Sequence, residues 1–223
     1  VVSHELRTPL TSILGALSLI GTDAEKHLPD DVQRLLFIAK TSGDRLKSLL
    51  DEILDFQKFS TRQMRINLGR HPVAALVDDA LVSNLGLAER NKVRFATRIA
   101  DRSLVALTDA KLLHQALANL LSNAAKFAAP ESLVEITAEP EGSVIRISVT
   151  NSGPGISEEF QSSVFKPFSQ GAGRFDRQTK GTGLGLSITK QIVEQMGGEI
   201  GFESIPDGKT TFWFTIRAAD SAG

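Results

Sequence analysis

A histidine and a glutamate stand next to each other near the start of the chain, as His4 and Glu5. A histidine can act as a nucleophile or exchange protons near neutral pH, and a neighbouring carboxylate can accept its proton or fix its tautomer. Thr8 follows four residues later, on the same face of a helix. Pro9 frees the carbonyl of Glu5 and predicts a kink one turn beyond His4. The sequence therefore predicts a reactive histidine beside a kinked segment.

A second group of candidate residues, Asn119, Asn123 and Lys126, recurs at four- and three-residue spacing. This spacing places all three on one face of a helix. A hard cation chelated by a triphosphate needs only one or two protein oxygens, and a lysine can meet phosphate charge. A solvated helix face also explains Asn and Lys side chains. The pattern therefore leaves open both a magnesium–phosphate site and a plain surface.

Two glycine-rich segments offer a third kind of chemistry, because bare backbone can approach a ligand closely. NSGPGI at residues 151–156 follows a predicted strand, which also suits an ordinary turn. GTGLGLS at residues 181–187 opens a predicted helix, where exposed amides and the helix dipole favour phosphate. The latter superficially matches the dinucleotide pattern GxGxxG, but its third glycine comes two residues after the second instead of three, and no βαβ unit surrounds it. A dinucleotide fold is therefore excluded.

A long helix at the start of the chain must position the reactive histidine. Apolar residues recur at three- and four-residue spacing over residues 2–20 and again over 31–59, which predicts two amphipathic helices around the polar stretch 21–30. We expect these helices to form an antiparallel hairpin. Two helices alone leave a wide apolar stripe facing water, so burial favours a four-helix bundle of two hairpins. The sequence therefore predicts a homodimer through the hairpin.

The other candidate residues lie where strands and helices mix, which predicts an α+β layer architecture. We place the boundary between the helical region and the mixed region at residues 60–66, giving a hairpin domain 1–62 and a second domain 63–223. The predicted helices are 74–90, 110–127 and 184–196, and the predicted strands are 64–73 (with a turn), 93–100, 104–108, 133–138, 144–150, 200–204 and 210–216, with hairpin turns at 140–142 and 206–208.

The segment SHELRTPLT at residues 3–11 resembles the H box of the sensor histidine kinases of two-component systems. The resemblance implies that His4 is the phosphoacceptor, attacking the γ-phosphate of ATP through one ring nitrogen, with Glu5 as general base at the other. It implies that Thr8 orients water when the system works in reverse as a phosphatase. Phosphoryl transfer needs mainly in-line positioning and charge neutralisation, which suits an exposed imidazole.

Four later segments resemble the N, G1, F and G2 boxes of the same kinases, in order: NLLSNAAKF at 119–127, NSGPGI at 151–156, FKPF at 165–168 and GTGLGLS at 181–187. The resemblance implies the Bergerat ATP-binding fold (GHKL), an α/β sandwich shared with gyrase and MutL. It implies magnesium bound by Asn123 with help from Asn119, and a mobile lid over residues 169–180. The implied ATP-binding residues are Asn119, Asn123, Lys126, Phe127, Asn151, Gly153, Gly155, Ile156, Phe168, Arg177, Gly181, Thr182, Gly183, Leu184 and Gly185.

The sequence departs from the family pattern at Asn151, where the family usually carries an Asp that accepts a hydrogen bond from the adenine amino group. Asn keeps one carbonyl acceptor, so the bond can survive. Losing the charged acceptor weakens ATP binding by roughly 1 to 2 kcal/mol, or about tenfold. We therefore expect weaker ATP affinity, but not its absence. Lys180 also stands where a further glycine is common, which is a smaller departure.

Composition excludes several other classes of function. The net charge of −1 gives no basic field for nucleic acid, so we expect no nucleic-acid partner. The absence of cysteine removes disulfides and zinc–thiolate sites. No apolar run reaches the roughly 20 residues of a membrane span, so we expect a cytoplasmic fragment without membrane contact, whose parent protein could be membrane-anchored and carry its sensory region upstream.

The leading hypothesis is the transmitter core of a sensor histidine kinase: ATP phosphorylates His4, and the phosphoryl group passes to an aspartate on the receiver domain of a response regulator. The second is a nucleotide-impaired relative that acts by heterodimerisation or as a regulator phosphatase, and Asn151 is the feature that favours it. The third is an ATPase or chaperone-like member of the same nucleotide fold. The His4–Glu5 pair argues against this last alternative.

Overall fold

The computed structural model describes residues 2–20, 28–60, 65–169 and 182–219, and within these ranges the side chains of residues 2–8, 45 and 60 lie outside the description. The chain divides into two compact units, Val1–Lys58 and Phe59–Gly223. The predicted connection at 21–27 lies outside the described residues. Among the described helices, none combines the length and the apolarity that a membrane span requires.

The first unit consists of two helices, α1 (Val2–Ile20) and α2 (Asp30–Ser60), close to the bounds that the apolar spacing predicts. Asp30 and Asp31 lie in the first turn of α2, where negative charge favours the positive end of the helix dipole. The two helices contact each other where Leu14 lies against Gly43. A Cβ on Gly43 would come within 2.6 Å of Leu14 Cδ2. A larger residue at position 43 would therefore require the Leu14 side chain to move.

Both helices leave large apolar side chains exposed in the single chain, although Leu10, Leu36 and Leu54 are buried. Such an apolar surface is unusual for a protein that stays monomeric. The exposed apolar residues of these helices are Ile13, Leu19, Ile20, Val32, Leu35, Phe37, Ile38, Leu46 and Ile53.

The second unit is an α/β sandwich whose elements are, in chain order, β1 (Gly69–Pro72), α3 (Val73–Asn91), β2 (Arg94–Ile99), β3 (Val105–Thr108), α4 (Ala110–Phe127), β4 (Leu133–Glu141), β5 (Val144–Ser152), α5 (Glu158–Gln161), α6 (Gly185–Gln195), β6 (Ile200–Ser204) and β7 (Lys209–Arg217). Five strands form one sheet in the order β2-β4-β5-β7-β6, and β1 pairs with β3 in a separate two-stranded sheet. In the large sheet, β2 and β4 run parallel and the other neighbours run antiparallel.

The core of the second unit lies between the large sheet and the helices. Alternate residues of β4 and β5, such as Ile136 and Ile147, are fully buried, which follows the two-residue period of a strand with one face covered. Helix α4 buries Leu113, Leu117 and Leu120 along one stripe. Full burial of each such side chain contributes about 1.5–3 kcal/mol. This packing holds the end of β5 and the face of α4 in fixed positions.

Phe59 belongs to this second unit although it stands near the end of α2. Its side chain is 1% exposed, and its carbonyl oxygen accepts a hydrogen bond from Gln195 Nε2, at the end of α6, at 2.9 Å. The second unit therefore begins before residue 63 in the chain.

The turn between β4 and β5 differs from the sequence prediction, which put it at residues 140–142. Strand β4 continues through Pro140 to Glu141, and the turn comes at Gly142, which has a φ of +62°. Strand β2 ends opposite Ala138. Pro140 therefore lies beyond the β2 edge, where the missing N–H of proline breaks no ladder hydrogen bond with that strand. Glycine then provides the left-handed conformation of the turn.

Candidate functional site

Helix α4 presents Asn119, Asn123 and Lys126 along one side, and all three side chains are half-buried. The helix begins where the Asp109 carboxylate accepts hydrogen bonds from the amides of Lys111 and Leu112. Such an N-cap fixes the register of the helix, and thereby the face on which the polar residues lie. This face is flanked by buried leucines and alanines. The three polar side chains therefore border the core instead of lying on an open surface.

Asn119 joins α4 to the start of α6. Its Nδ2 donates to the carbonyl oxygen of Gly185 at 3.2 Å and lies 3.3 Å from Thr189 Oγ1. The Thr189 hydroxyl, which is fully buried, donates to the same carbonyl oxygen at 2.9 Å. The nitrogen of Asn119 is thus used to position α6, and the oxygen Oδ1 is the atom of this side chain that remains for a ligand.

Asn123 lies one turn further along α4, and within the described ranges no hydrogen bond engages its side-chain amide. A half-buried amide oxygen suits a hard cation such as magnesium, which keeps several waters and takes few protein ligands when it is bound with a triphosphate. Within those same ranges no three His, Cys, Asp or Glu side chains cluster as a metal site. The donor set therefore fits a cation carried in by a phosphate ligand better than one held by the protein alone.

Asn151 lies at the end of β5, in register with Thr210 of β7, and only 4% of its surface is exposed. Gly153 follows two residues later. A Cβ on Gly153 would collide with the carbonyl oxygen of Phe127, at the end of α4, and would lie 3.3 Å from Asn151 Nδ2. The missing side chain therefore lets the end of α4 and the segment after β5 touch.

The segment that follows Gly153 is held against the β6–β7 hairpin. Gly155 has a φ of +77°, and a Cβ there would come within 2.6 Å of the carbonyl oxygen of Ile205. The Ile156 amide donates to Ser204 Oγ at 2.9 Å, and Ser204 Oγ lies 2.8 Å from Thr210 Oγ1. These contacts give the glycine-rich segment a defined conformation.

The second glycine-rich segment packs against the part of the chain that follows α5. Gly183 has a φ of +76°, and a Cβ there would come within 2.7 Å of the carbonyl oxygen of Ser169. Phe168, next to Ser169, also has a positive φ, of +59°, and is 62% exposed. Thr182 Oγ1 accepts a hydrogen bond from the Leu184 amide at 3.1 Å. The segments before residue 170 and after residue 181 are therefore in contact.

Helix α6 begins at Gly185 with its first amides beside Asn119. A Cβ on Gly185 would lie 3.7 Å from Asn119 Cγ, which is ordinary van der Waals distance. The amides of the first turn of a helix lack partners within the helix and carry the positive end of the dipole. The structure therefore places the start of α6, where anions are favoured, next to the Asn119 side chain.

Several predicted site residues cannot be placed in this way. Arg177 and Gly181 lie outside the described residues, as does most of the predicted lid. The backbone at His4, Glu5 and Thr8 is part of α1, which continues through Pro9, but these side chains lie outside the description.

The sequence analysis did not select Thr189, Ser204 and Thr210, although all three hydroxyls organise the site. Thr189 and Thr210 are buried. Thr189 stands four residues after Gly185, so its hydroxyl can reach back to that carbonyl oxygen. The sequence signal that could have identified Thr189 is a threonine four residues after the glycine that begins a helix. Ser204 and Thr210 face each other across a hairpin, which sequence spacing alone does not reveal.

Two family models match this chain. The model described as histidine kinase-, DNA gyrase B- and HSP90-like ATPase matches residues 108–220, and the model of the His kinase A phosphoacceptor domain matches residues 1–62. The chain belongs to the sensor histidine kinase family. This assignment confirms the predicted family and the helical region followed by a GHKL-type sandwich.

Among curated relatives of this histidine kinase core, the sensor histidine kinase GacS of Pseudomonas protegens is 36% identical over 221 residues. The alignment covers 97% of this chain but 24% of GacS, so the chain spans about a quarter of that relative's length. Full-length ShkA in complex with AMPPNP superposes with a TM-score of 0.84 at 28% identity, covering 100% of this chain and 46% of ShkA. ThkA in complex with the response regulator TrrA superposes with a TM-score of 0.68 at 28% identity, covering 98% and 60% of the two chains.

Proposed function

We propose that this chain is a transmitter core that transfers the γ-phosphoryl group of ATP to His4 and then to an aspartate of a response regulator receiver domain. The helical hairpin dimerises and carries the phosphoryl group, and the unit that begins at Phe59 binds ATP. The observation that carries the proposal is the meeting of three segments: the asparagine face of α4, the end of β5 and the glycine-rich start of α6.

The nucleotide would bind where these segments meet. Asn151, buried at the end of β5, faces the base, while the first amides of α6 and the ammonium group of Lys126 face the phosphates. Asn123 would hold magnesium through its amide oxygen, with Asn119 Oδ1 as a second donor, because these atoms fit a cation that arrives with a triphosphate. Bound magnesium neutralises phosphate charge. AMPPNP, the ligand in the ShkA structure, is a triphosphate analogue, which supports this assignment.

The reaction at His4 breaks one bond and forms one. One ring nitrogen of His4 attacks the γ-phosphorus in line, the bond to the β-phosphate oxygen breaks, and ADP leaves with the electron pair. The proton on the other ring nitrogen passes to the Glu5 carboxylate. In the second step the phosphorus–nitrogen bond breaks, and the phosphoryl group forms a bond with the receiver's aspartate oxygen. The complex of ThkA with TrrA supports a response regulator as the partner.

The two helices of the first unit would form the dimer. Their exposed apolar side chains, including Leu35 and Ile38, lose contact with water when a second hairpin covers them. Each such side chain contributes about 1.5–3 kcal/mol when fully buried. The apolar surface is the observation that supports a homodimer through the hairpin.

A second candidate function is a regulator phosphatase with an impaired nucleotide site, or a partner in heterodimers. Asn151 favours this alternative, because it offers adenine a neutral acceptor. In that case His4 and Thr8 would act on a phosphorylated regulator, with Thr8 orienting the attacking water.

The decisive experiment incubates the full chain with magnesium and γ-labelled ATP. We expect label that is acid-labile and alkali-stable, as a phosphohistidine is, and that is lost in His4→Ala. His71→Ala, which changes a histidine in β1, is the matched control and should retain the label. No label in either the parent chain or Asn151→Asp, despite a folded dimer, would contradict the kinase proposal and favour the phosphatase.

A further inference from the structure

Asn151 combines burial with a side-chain amide that no group within the described residues engages. The residue is 4% exposed, and across the described part of the chain no hydrogen bond engages its side chain. Among those residues, neither polar atom of the Asn151 side chain is both fully buried and without a hydrogen-bond partner. The amide end therefore has accessible surface. A polar group in such surroundings needs a hydrogen-bond partner from water or from a ligand.

The backbone of Asn151 is fixed by strand pairing, while its side-chain amide can adopt either of two orientations. Its main chain pairs with Thr210 in the ladder between β5 and β7. The bare Cα of Gly153 leaves room beside Nδ2. Because no hydrogen bond from the described residues selects one orientation, the amide can present either its oxygen or its nitrogen to a ligand. A carboxylate at this position could only accept hydrogen bonds.

This difference matters at position 6 of a purine. Adenine carries an amino group there, which donates, and hypoxanthine carries an oxygen, which accepts. The amide of Asn151 can accept from the amino group in one orientation and donate to the oxygen in the other. An ionised carboxylate would repel the oxygen.

We propose that Asn151 makes the nucleotide site accept both 6-amino and 6-oxo purine nucleoside triphosphates. The inference rests on the proposed function, because it places the base beside Asn151. It adds a substrate class that a carboxylate at the same position would reject.

The test measures binding of ATP and of ITP, with magnesium, to the full chain and to Asn151→Asp. ITP is the suitable 6-oxo probe because it lacks the 2-amino group of guanine, so its base differs from adenine only at position 6 and in the proton that N1 then carries. We expect the parent chain to bind ITP within about threefold of ATP, and Asn151→Asp to prefer ATP over ITP by at least about tenfold. Asn84→Asp introduces the same charge on α3, where Asn84 donates to the carbonyl oxygen of Ala80, and should leave the ratio unchanged.

Asn151→Ala provides a second test that adds no buried charge. It should weaken ATP and ITP by similar factors, because it removes the donor and the acceptor together. An equal ATP preference in the parent chain and in Asn151→Asp, or unchanged affinities in Asn151→Ala, would overturn the inference while leaving the kinase proposal intact. Failure of every variant and of the parent to bind either nucleotide would instead overturn the proposed nucleotide site.

Discussion

The side-chain amide of Asn119 on α4 donates to the carbonyl oxygen of Gly185, the first residue of α6, at 3.2 Å. This hydrogen bond links two of the three segments that form the candidate site. The third segment joins through Gly153, whose missing Cβ allows contact with the Phe127 carbonyl oxygen. Both contacts therefore lead to predictions about stability and ATP affinity.

Thr189→Val should loosen the start of α6. The substitution keeps the shape of the side chain but removes the hydroxyl that donates to Gly185 and lies beside Asn119. We expect a loss of about 1–2 kcal/mol in the free energy of unfolding and weaker ATP binding, measured by urea denaturation and by nucleotide titration. Thr137→Val, in β4, should change neither quantity appreciably. Unchanged ATP affinity in a Thr189→Val protein would show that this bond does not shape the site.

Gly153→Ala should damage the site because the new methyl group meets backbone and not a flexible side chain. Such overpacking costs about 1–3 kcal/mol, and the shift of the segment should also reduce ATP affinity. Thermal unfolding and nucleotide titration measure the two effects. The control is Gly86→Ala in α3, where a Cβ meets nothing within 4 Å. That variant should gain about 0.5–1 kcal/mol through helix propensity.

Glu5→Gln should slow phosphorylation of His4 without changing ATP affinity, because the amide cannot accept the imidazole proton. Loss of a general base typically lowers a rate by about 10²–10⁴-fold. Single-turnover labelling measures the rate, and titration measures the affinity. A normal labelling rate in Glu5→Gln would assign the proton to another acceptor.

Removal of magnesium by a chelator should abolish labelling, and Asn123→Ala should raise the magnesium concentration needed for half-maximal labelling. The reason is that Asn123 supplies an oxygen ligand which the substitution deletes. Asn84→Ala removes an amide on α3 and should leave the magnesium requirement as it is. If Asn123→Ala showed the parent's magnesium dependence, the cation would have to bind elsewhere.

The paired substitution Leu35→Glu and Ile38→Glu should turn the dimer into a monomer. Both side chains are at least half exposed in the single chain, and a charge at a buried dimer interface is strongly unfavourable. Analytical ultracentrifugation measures the mass in solution. Val82→Glu alters a comparably exposed residue of α3 and should keep the parent's mass.

Local signals in the sequence predicted the individual elements well. Helix α4 has the predicted bounds because Asp109 caps its start and its leucines follow the helical period. The parallel pairing of β2 with β4 could not be predicted in this way, because it joins strands that are separated by a helix and another strand. The turn after β4 was misplaced because Pro140 was interpreted as a turn residue, whereas it continues β4 beyond the end of β2.

The same reasoning applies to the geometry of the candidate site. Asn119, Asn123 and Lys126 share a helix face, and their spacing was sufficient to predict that arrangement. The bond from Thr189 to Gly185 needed only a four-residue interval, but many threonines in helices have such a neighbour. The contact of Gly153 with Phe127 depends on how β5 and α4 pack, which no local pattern contains.

The burial of Phe59 has a practical consequence for anyone who expresses the ATP-binding part alone. A polypeptide cut at residue 63 would lack this ring and the carbonyl oxygen that Gln195 contacts. Truncating a buried phenylalanine typically costs about 3–5 kcal/mol, a large share of the roughly 5–15 kcal/mol that stabilises a domain. An expression boundary at or before Phe59 should therefore yield a soluble, cooperative domain where the shorter version aggregates.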